Sequence, residues 1–329
     1  MSDDPTHSSM TRNVTLYPWY KFLQSLIFWQ AVWFLYFQSE LSASEAILLY
    51  AVYDIGTTVL EVPSGYLSDR LGRRLTLIIS ALAGLLGVIL LIVGGSFQIF
   101  ALAQVLLGTS AAFSSGTDNA LLYESLSALK REAELEAQEL RAWRHGFVAL
   151  AISAFLGGAM MLYMTVLPFV ASALAAGAVC IVVLSFKEPI DTTHSVAQAE
   201  GYAQLASLKS AFTNPVLVWL FALSVIMYVF SHVPFVFGQP FILEALKHTR
   251  FSGEAPFVSG SVTALMMVVS VITSLFALKL RNRLGLMQIL LLAFGLQIAL
   301  SGTLALTGEA VVIGLLLLRM VPDSLSRPF

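Results

Sequence analysis

The feature that most restricts the fold is a series of apolar runs, each about one bilayer crossing long. They fall at 17–38, 45–66, 75–95, 97–123, 146–164, 166–186, 216–245, 256–278, 286–307 and 309–325. A spanning helix needs about 20 mainly apolar residues, so the ten runs predict about ten spans. In hydrocarbon a helix satisfies its own backbone polar groups, which makes an all-α, multi-pass protein of the lipid bilayer the expected fold class. Composition agrees, with 57% hydrophobic and 12% charged residues against about 25% charged in a soluble domain. The net charge of −2 implies no nucleic-acid partner. Cys180 is the single cysteine, which rules out a disulfide framework and a cysteine metal site. With Met1 placed in the cytosol, 16 of the 18 Lys and Arg fall in cytoplasmic segments, and only Lys247 and Arg250 lie opposite. Positive-inside orientation requires that asymmetry. The polar stretch Met1–Asn13 then reads as a short cytosolic tail and not as a cleaved signal peptide.

One polar interruption, 65–76, lies between the second and third runs: Gly65-Tyr66-Leu67-Ser68-Asp69-Arg70-Leu71-Gly72-Arg73-Arg74-Leu75-Thr76. So many charges cannot sit in hydrocarbon, so this turn belongs at a membrane face. In order and spacing it resembles the signature of the major facilitator superfamily (MFS), roughly G-x-L-A-D-R-x-G-R-[RK]-x-x-L, with Ser68 in place of the family's Ala. The resemblance implies a secondary transporter with two six-helix halves. It also implies a cytoplasmic gate made by Gly65, Asp69, Arg70, Gly72, Arg73 and Arg74, in which the acid's partners include the start of an eleventh span. The stretch 115–126 is similar to uncharacterised bacterial members, which implies the bacterial inner membrane.

Transporters of this kind carry internal repeats, and one is visible. Leu67–Gly72 aligns with Leu280–Gly285 at an offset of 213, so Asn282, Arg283 and Gly285 form a degenerate second copy. The same offset sets the second half about 71 residues past Phe329, which predicts a C-terminally truncated chain. The organisation expected is an N-terminal half 1–187, a cytoplasmic linker 188–215 with a surface helix near 202–212, and an incomplete C-terminal half 216–329. The charged stretch 125–144 is expected to extend the fourth span.

Polar residues inside spans are functional candidates by default. Asp54 and Glu61, seven apart, share a helical face; Glu61 reads either as a site residue or as a buried anchor of the arginine loop, and Asp54 as facing water in the outer half of its span. Gln104, Gly108, Ala111, Ser115 and Asp118 form a small-and-polar stripe on the fourth span, suited to helix packing or to a cavity wall. MFS members carry an arginine, linked to proton coupling, where Gln104 stands. Their antiporter motif G-x-x-x-G-P-x-x-G-G survives here only as Gly157-Gly158. In the seventh span His232 and Gln239 share a face with Tyr228 one turn earlier, and Pro234, Gly238 and Pro240 are expected to interrupt the helix. A histidine can carry a proton or simply pack. Gln30 and the aromatic residues Trp29, Trp33, Phe34 and Phe37 of the first span complete the candidates.

No phosphate-binding loop, zinc-protease motif or nucleophile elbow occurs, so no enzyme, catalytic residue, nucleotide, cofactor or metal is expected. The expected function is alternating-access transport of a small-molecule solute, possible proton coupling included, as an exporter of drug-like or metabolite compounds. The alternatives are an uptake facilitator or symporter, and a receptor, scaffold or non-functional truncated product.

Overall fold

The computed structural model describes residues 5–189, 213–247, 249–306 and 321. The described chain is helical throughout: α1 (Pro5–Gln24), α2 (Trp33–Glu40), α3 (Ala43–Leu71), α4 (Arg73–Val93), α5 (Phe97–Ser114), α6 (Thr117–Ala128), α7 (Leu135–Tyr163), α8 (Leu167–Ser185), α9 (Pro215–Leu246), α10 (Ala255–Leu284) and α11 (Leu286–Leu306). Polar residues mark the starts. Ser42 and Glu45 form a reciprocal capping box on α3, Ser96 caps α5, and Asn214 precedes Pro215 at the start of α9. Each satisfies N–H groups that a helix start leaves free.

Among the described residues six helices are long and apolar enough to cross a bilayer, not ten. The first apolar run is not one helix, because residues 25–32 separate α1 from α2. Three further apolar stretches, Pro215–Ile226, Val236–Leu246 and Met287–Leu300, are shorter. The tenth run and the surface helix near 202–212 lie outside the described residues, apart from Val321. The fourth run is also divided, at Ser115-Gly116, where Gly116 takes φ +72° between α5 and α6. The expected extension of that span stops at Ala128, and residues from Leu135 onward begin the next helix instead; Lys130 at φ 57° makes the turn. Conversely, α9 runs unbroken through Pro234, Gly238 and Pro240. A proline removes one ladder bond, and neighbouring helices in a membrane protein can make good that loss.

The arginine stretch 65–76 is almost entirely helical. Gly72 alone separates α3 from α4, at φ +92°. Its repeat partner Gly285 separates α10 from α11 at φ +84°. Thr76 N–H donates to Gly72 O at 3.3 Å, and Ile289 N–H to Gly285 O at the same 3.3 Å. The two copies thus make the same turn, one that favours glycine.

The first helix group, α1–α8, holds two apolar clusters. One gathers Tyr17, Tyr20, Leu77, Leu121 and Phe186; the other gathers Trp33, Tyr36, Phe37, Phe100 and Phe169. Helix α10 lies along α7 at a glycine crossing, where a Cβ on Gly158 would stand 2.5 Å from Pro256 O and one on Gly260 2.5 Å from Ala154 O. Such small residues let backbones approach in a membrane. Phe155 and Phe257 close the contact at 5.5 Å. Outward apolar residues such as Val62, Leu174 and Ile181 face where lipid lies.

Gly158→Leu or Gly260→Val is therefore expected to destabilise by about 1–3 kcal/mol or more through overpacking, read as a lower melting temperature in detergent. Gly177→Ala, whose Cβ meets nothing within 4 Å, is expected to leave melting unchanged or raise it by up to about 1 kcal/mol.

Candidate functional site

The Gly72 turn is the centre of a charge lattice. Arg73 Nη1 donates to Asp69 Oδ1 at 2.6 Å and to Ser68 Oγ at 2.9 Å, and its Nε donates to Glu124 Oε1 at 2.9 Å. The guanidinium thereby ties α3 and α4 to α6. Arg74 donates to Leu184 O at 3.0 Å, and Arg70 lies over the Tyr66 ring at 4.8 Å. The start of α4 is closed by a residue that the sequence did not single out. Glu188, just past α8, accepts from Arg73 N–H at 2.6 Å and from Arg74 N–H at 2.8 Å. A carboxylate at a helix N-terminus gains from both the free N–H groups and the dipole. A Cβ at Gly72 would meet Glu188 Oε1 at 2.7 Å, so this glycine answers both to its φ and to the carboxylate above it. Gly65, with open space around it, makes no such demand.

Further into the first group, Lys21 of α1 pairs with Asp118 of α6. Asp118 Oδ1 also accepts from Asn119 N–H at 2.7 Å, and Tyr17 Oη donates to Asn119 Oδ1 at 2.6 Å. The pair lies in a cavity of about 590 Å³ walled by α1, α3, α4, α5, α6, α7 and α8 and by the 25–32 segment. The stripe on the fourth span divides between both expected roles. Gly108 packs, a Cβ there standing 3.0 Å from Tyr53 O, and Gln104 is buried beside it; Ala111, Ser115 and Asp118 line the cavity.

The 25–32 segment exposes backbone that four helices complete. Phe28 N–H donates to Ser172 Oγ of α8 at 2.9 Å. Ser153 of α7 donates to Ser25 O at 3.5 Å, and Ser259 of α10 to Ala31 O at 2.5 Å. Gly157 leaves room for Phe28 O, which would stand 1.8 Å from a Cβ there. Gln239 of α9 does the most: its Nε2 donates to Gln30 O at 2.9 Å while its Oε1 accepts from Phe34 N–H at 3.0 Å. Gln30 O and Phe34 N–H are the i, i+4 partners of an uninterrupted helix, so the amide is inserted into the missing rung.

On the same face of α9, His232 Nε2 lies 2.8 Å from Asp54 Oδ2 of α3. The imidazole sits between the Tyr228 ring at 5.1 Å and the Tyr50 ring at 5.4 Å. Asp54 is thus not merely water-facing; it meets the second helix group. Glu61 is not a buried anchor of the arginine loop. It is exposed, and it accepts from Ser115 Oγ at 3.4 Å. In the second copy of the loop Arg283 is exposed, and the Asn282 side chain lies outside the described residues. No cluster of His, Cys, Asp and Glu able to hold a metal occurs among the described residues.

A family model described as Major Facilitator Superfamily matches residues 21–322. The chain belongs to the major facilitator superfamily. It is accordingly a multi-pass membrane transporter of solutes and not an enzyme. A point-mutant structure of the nucleoside transporter NupG is similar with TM-score 0.72 at 14% identity, over 96% of this chain and 80% of that one. A second NupG structure gives 0.70 at 14% identity over 95% and 79%. A D-xylose-proton symporter gives 0.59 at 14% identity over 98% and 80%. At this identity the likeness is one of fold. No curated protein matches.

In this MFS chain, Glu188→Ala is expected to cost about 0.5–2 kcal/mol, the usual range for a lost helix cap. Gly72→Ala is expected to cost more, since it adds a clash to a φ of +92°. In the Glu188→Ala background Gly72→Ala should keep only the conformational part, about 1–3 kcal/mol for an L residue at φ 92°, ψ 157°. Thermal unfolding of the four proteins in one detergent reads the cycle, and additive costs would refute the clash.

Proposed function

We propose that the chain moves a small solute by alternating access, a first half 1–187 rocking against a second half 216–329 that is joined to it by the linker 188–215. The observation that carries this reading is the contact of α9 with the first group through two polar residues, His232 on Asp54 and Gln239 on the break at Gln30–Phe34. A polar contact between halves can be remade in a second state. The contact of His232 with Asp54, with the rings of Tyr50 and Tyr228 against the imidazole, supports a proton-responsive role at this place. The Asp69–Arg73–Glu124 lattice, with Glu188 on α4, fits the family's cytoplasmic gate.

On this reading the six clear spans are joined by the broken first run and by α9 and α11, the bilayer is a bacterial inner membrane, and the N-terminus is cytosolic. Export of drug-like or metabolite compounds by secondary coupling is the first reading of direction. Proton symport is the second; the His232–Asp54 pair supports it, and so does the fold shared with a D-xylose-proton symporter. Solutes of the nucleoside or pentose kind head the screen because those relatives carry them.

The test is counterflow and pH-driven uptake of labelled solutes in proteoliposomes of fixed orientation. Exchange of at least one solute is expected. His232→Ala and Asp54→Asn should retain counterflow but lose at least tenfold of pH-driven accumulation, and the sign of accumulation decides between export and symport. Absence of exchange for every solute in a folded preparation would make the chain a receptor or scaffold.

A further inference from the structure

The cavity around Lys21 and Asp118 has a recognition pattern of its own. None of its lining residues comes from α9, α10 or α11, so it lies inside the first helix group, and it reaches the α9 contact only at Gln30 and Tyr53. Its volume of about 590 Å³ falls within the ~300–1,000 Å³ of small-molecule sites. Among the described residues Lys21 and Asp118 are the charged residues that line it, one of each sign, with Glu139 of α7 close enough to act on both. Asp118 is 3% exposed, so its charge is held away from water, where only a close partner compensates it.

The uncharged polar residues divide by what they have left to offer. Ser80 donates to Ser110 O, Ser114 to Ala111 O and Ser172 to Pro168 O, so these hydroxyl protons are committed to backbone. Asn119 accepts Tyr17 Oη through its Oδ1, which leaves its Nδ2 protons. Lys21 holds three protons, and one of them meets Asp118. Nearby, Leu26, Ile27, Val88 and Leu107 form an apolar wall.

We propose that this cavity binds a small zwitterion with an apolar tail, an α-amino acid with an aliphatic or aromatic side chain being the simplest form. The ligand carboxylate takes the protons of Lys21 and Asn119, the ligand ammonium donates to Asp118, and the tail lies on the apolar wall. The Lys21–Asp118 pair is exchanged for two ion pairs, no proton is transferred, and the cavity stays neutral. A bare anion or cation would add a net charge to a buried site, which is costly. An uncharged polyol would leave the original pair closed. The inference extends the transport reading by naming a solute class, yet binding is measured without transport. A chain that binds but exchanges nothing refutes the transport reading alone, and one that exchanges pentoses but does not bind the amino acid refutes this one.

The experiment is equilibrium binding of tritiated L-leucine to the purified chain in nanodiscs, with competitors. L-Phenylalanine is expected to displace the label. Leucinol, 4-methylpentanoate and xylitol should be at least tenfold weaker, since each lacks one charge or both. The double variant Lys21→Gln with Asp118→Asn keeps the cavity neutral and is expected to lose at least tenfold in leucine affinity with an unchanged melting temperature. If that variant does not fold, Ala111→Phe, which fills the cavity without removing a charge, should abolish the signal. Leucine bound equally by these variants, displacement by a singly charged analogue or by xylitol as strong as by phenylalanine, or no leucine binding to the parent chain would each overturn the proposal.

Discussion

The arrangement depends on how broken backbone is satisfied where water is scarce. Residues 25–32 interrupt the first apolar run, and an unpaired amide or carbonyl in hydrocarbon costs several kcal/mol. The side-chain amide of Gln239 stands between Gln30 O and Phe34 N–H and bonds both. A rung missing from one helix is therefore supplied by another more than 200 residues away. Ser153, Ser172 and Ser259 bond Ser25 O, Phe28 N–H and Ala31 O in turn. Helices α7 and α8 hold the break from one side and α9 and α10 from the other, so the break ties the two helix groups together beside the glycine crossing of α7 with α10.

The same break gives the first group its interior. Continued helix through residues 25–32 would run its side chains past α4 and α5; instead the irregular segment leaves a wall of the Lys21–Asp118 cavity. Non-helical backbone at membrane depth is tolerated where it lines such a space. Lys21 sits in the last turn of α1, and Asp118 in the first turn of α6, just after the Gly116 break. Two interruptions of two spans thus meet at one ion pair.

Much of this was legible in the sequence because it obeys short periods. Run lengths near a bilayer thickness, the seven-residue spacing of His232 and Gln239, and the match of Gly72 with Gly285 are local patterns, with counterparts in spanning helices for six of the ten runs, in the shared face of α9 and in the paired positive φ values. The break at 25–32 carries no local mark: Ser25-Leu26-Ile27-Phe28-Trp29-Gln30-Ala31-Val32 holds neither proline nor glycine, and what stabilises it arrives from residues 172, 239 and 259. The opposite error came from Pro234 and Pro240, whose local signal for a break is overridden within α9. Glu188 was passed over as linker, since nothing near it in the chain reveals that it ends beside Gly72. Pairings such as Asp54 with His232 were beyond reach for the same reason, each residue being visible as a candidate and its partner not.

The lattice at Gly72 carries a further consequence for the making of the protein. In the finished fold the Arg73 guanidinium pairs with Asp69 and Glu124, and Glu188 accepts the backbone N–H groups of Arg73 and Arg74. Glu124 and Glu188 lie 51 and 115 positions downstream, so they do not yet exist when the α3–α4 hairpin leaves the ribosome. During synthesis the hairpin shows the membrane an excess of two positive charges, the form in which arginines bias orientation. After α6 and α8 have been added, Glu124 joins Arg73 and Glu188 closes the start of α4, while Arg70 lies on Tyr66 and Arg74 holds Leu184 O. One set of side chains thus gains its acidic partners in the order of translation.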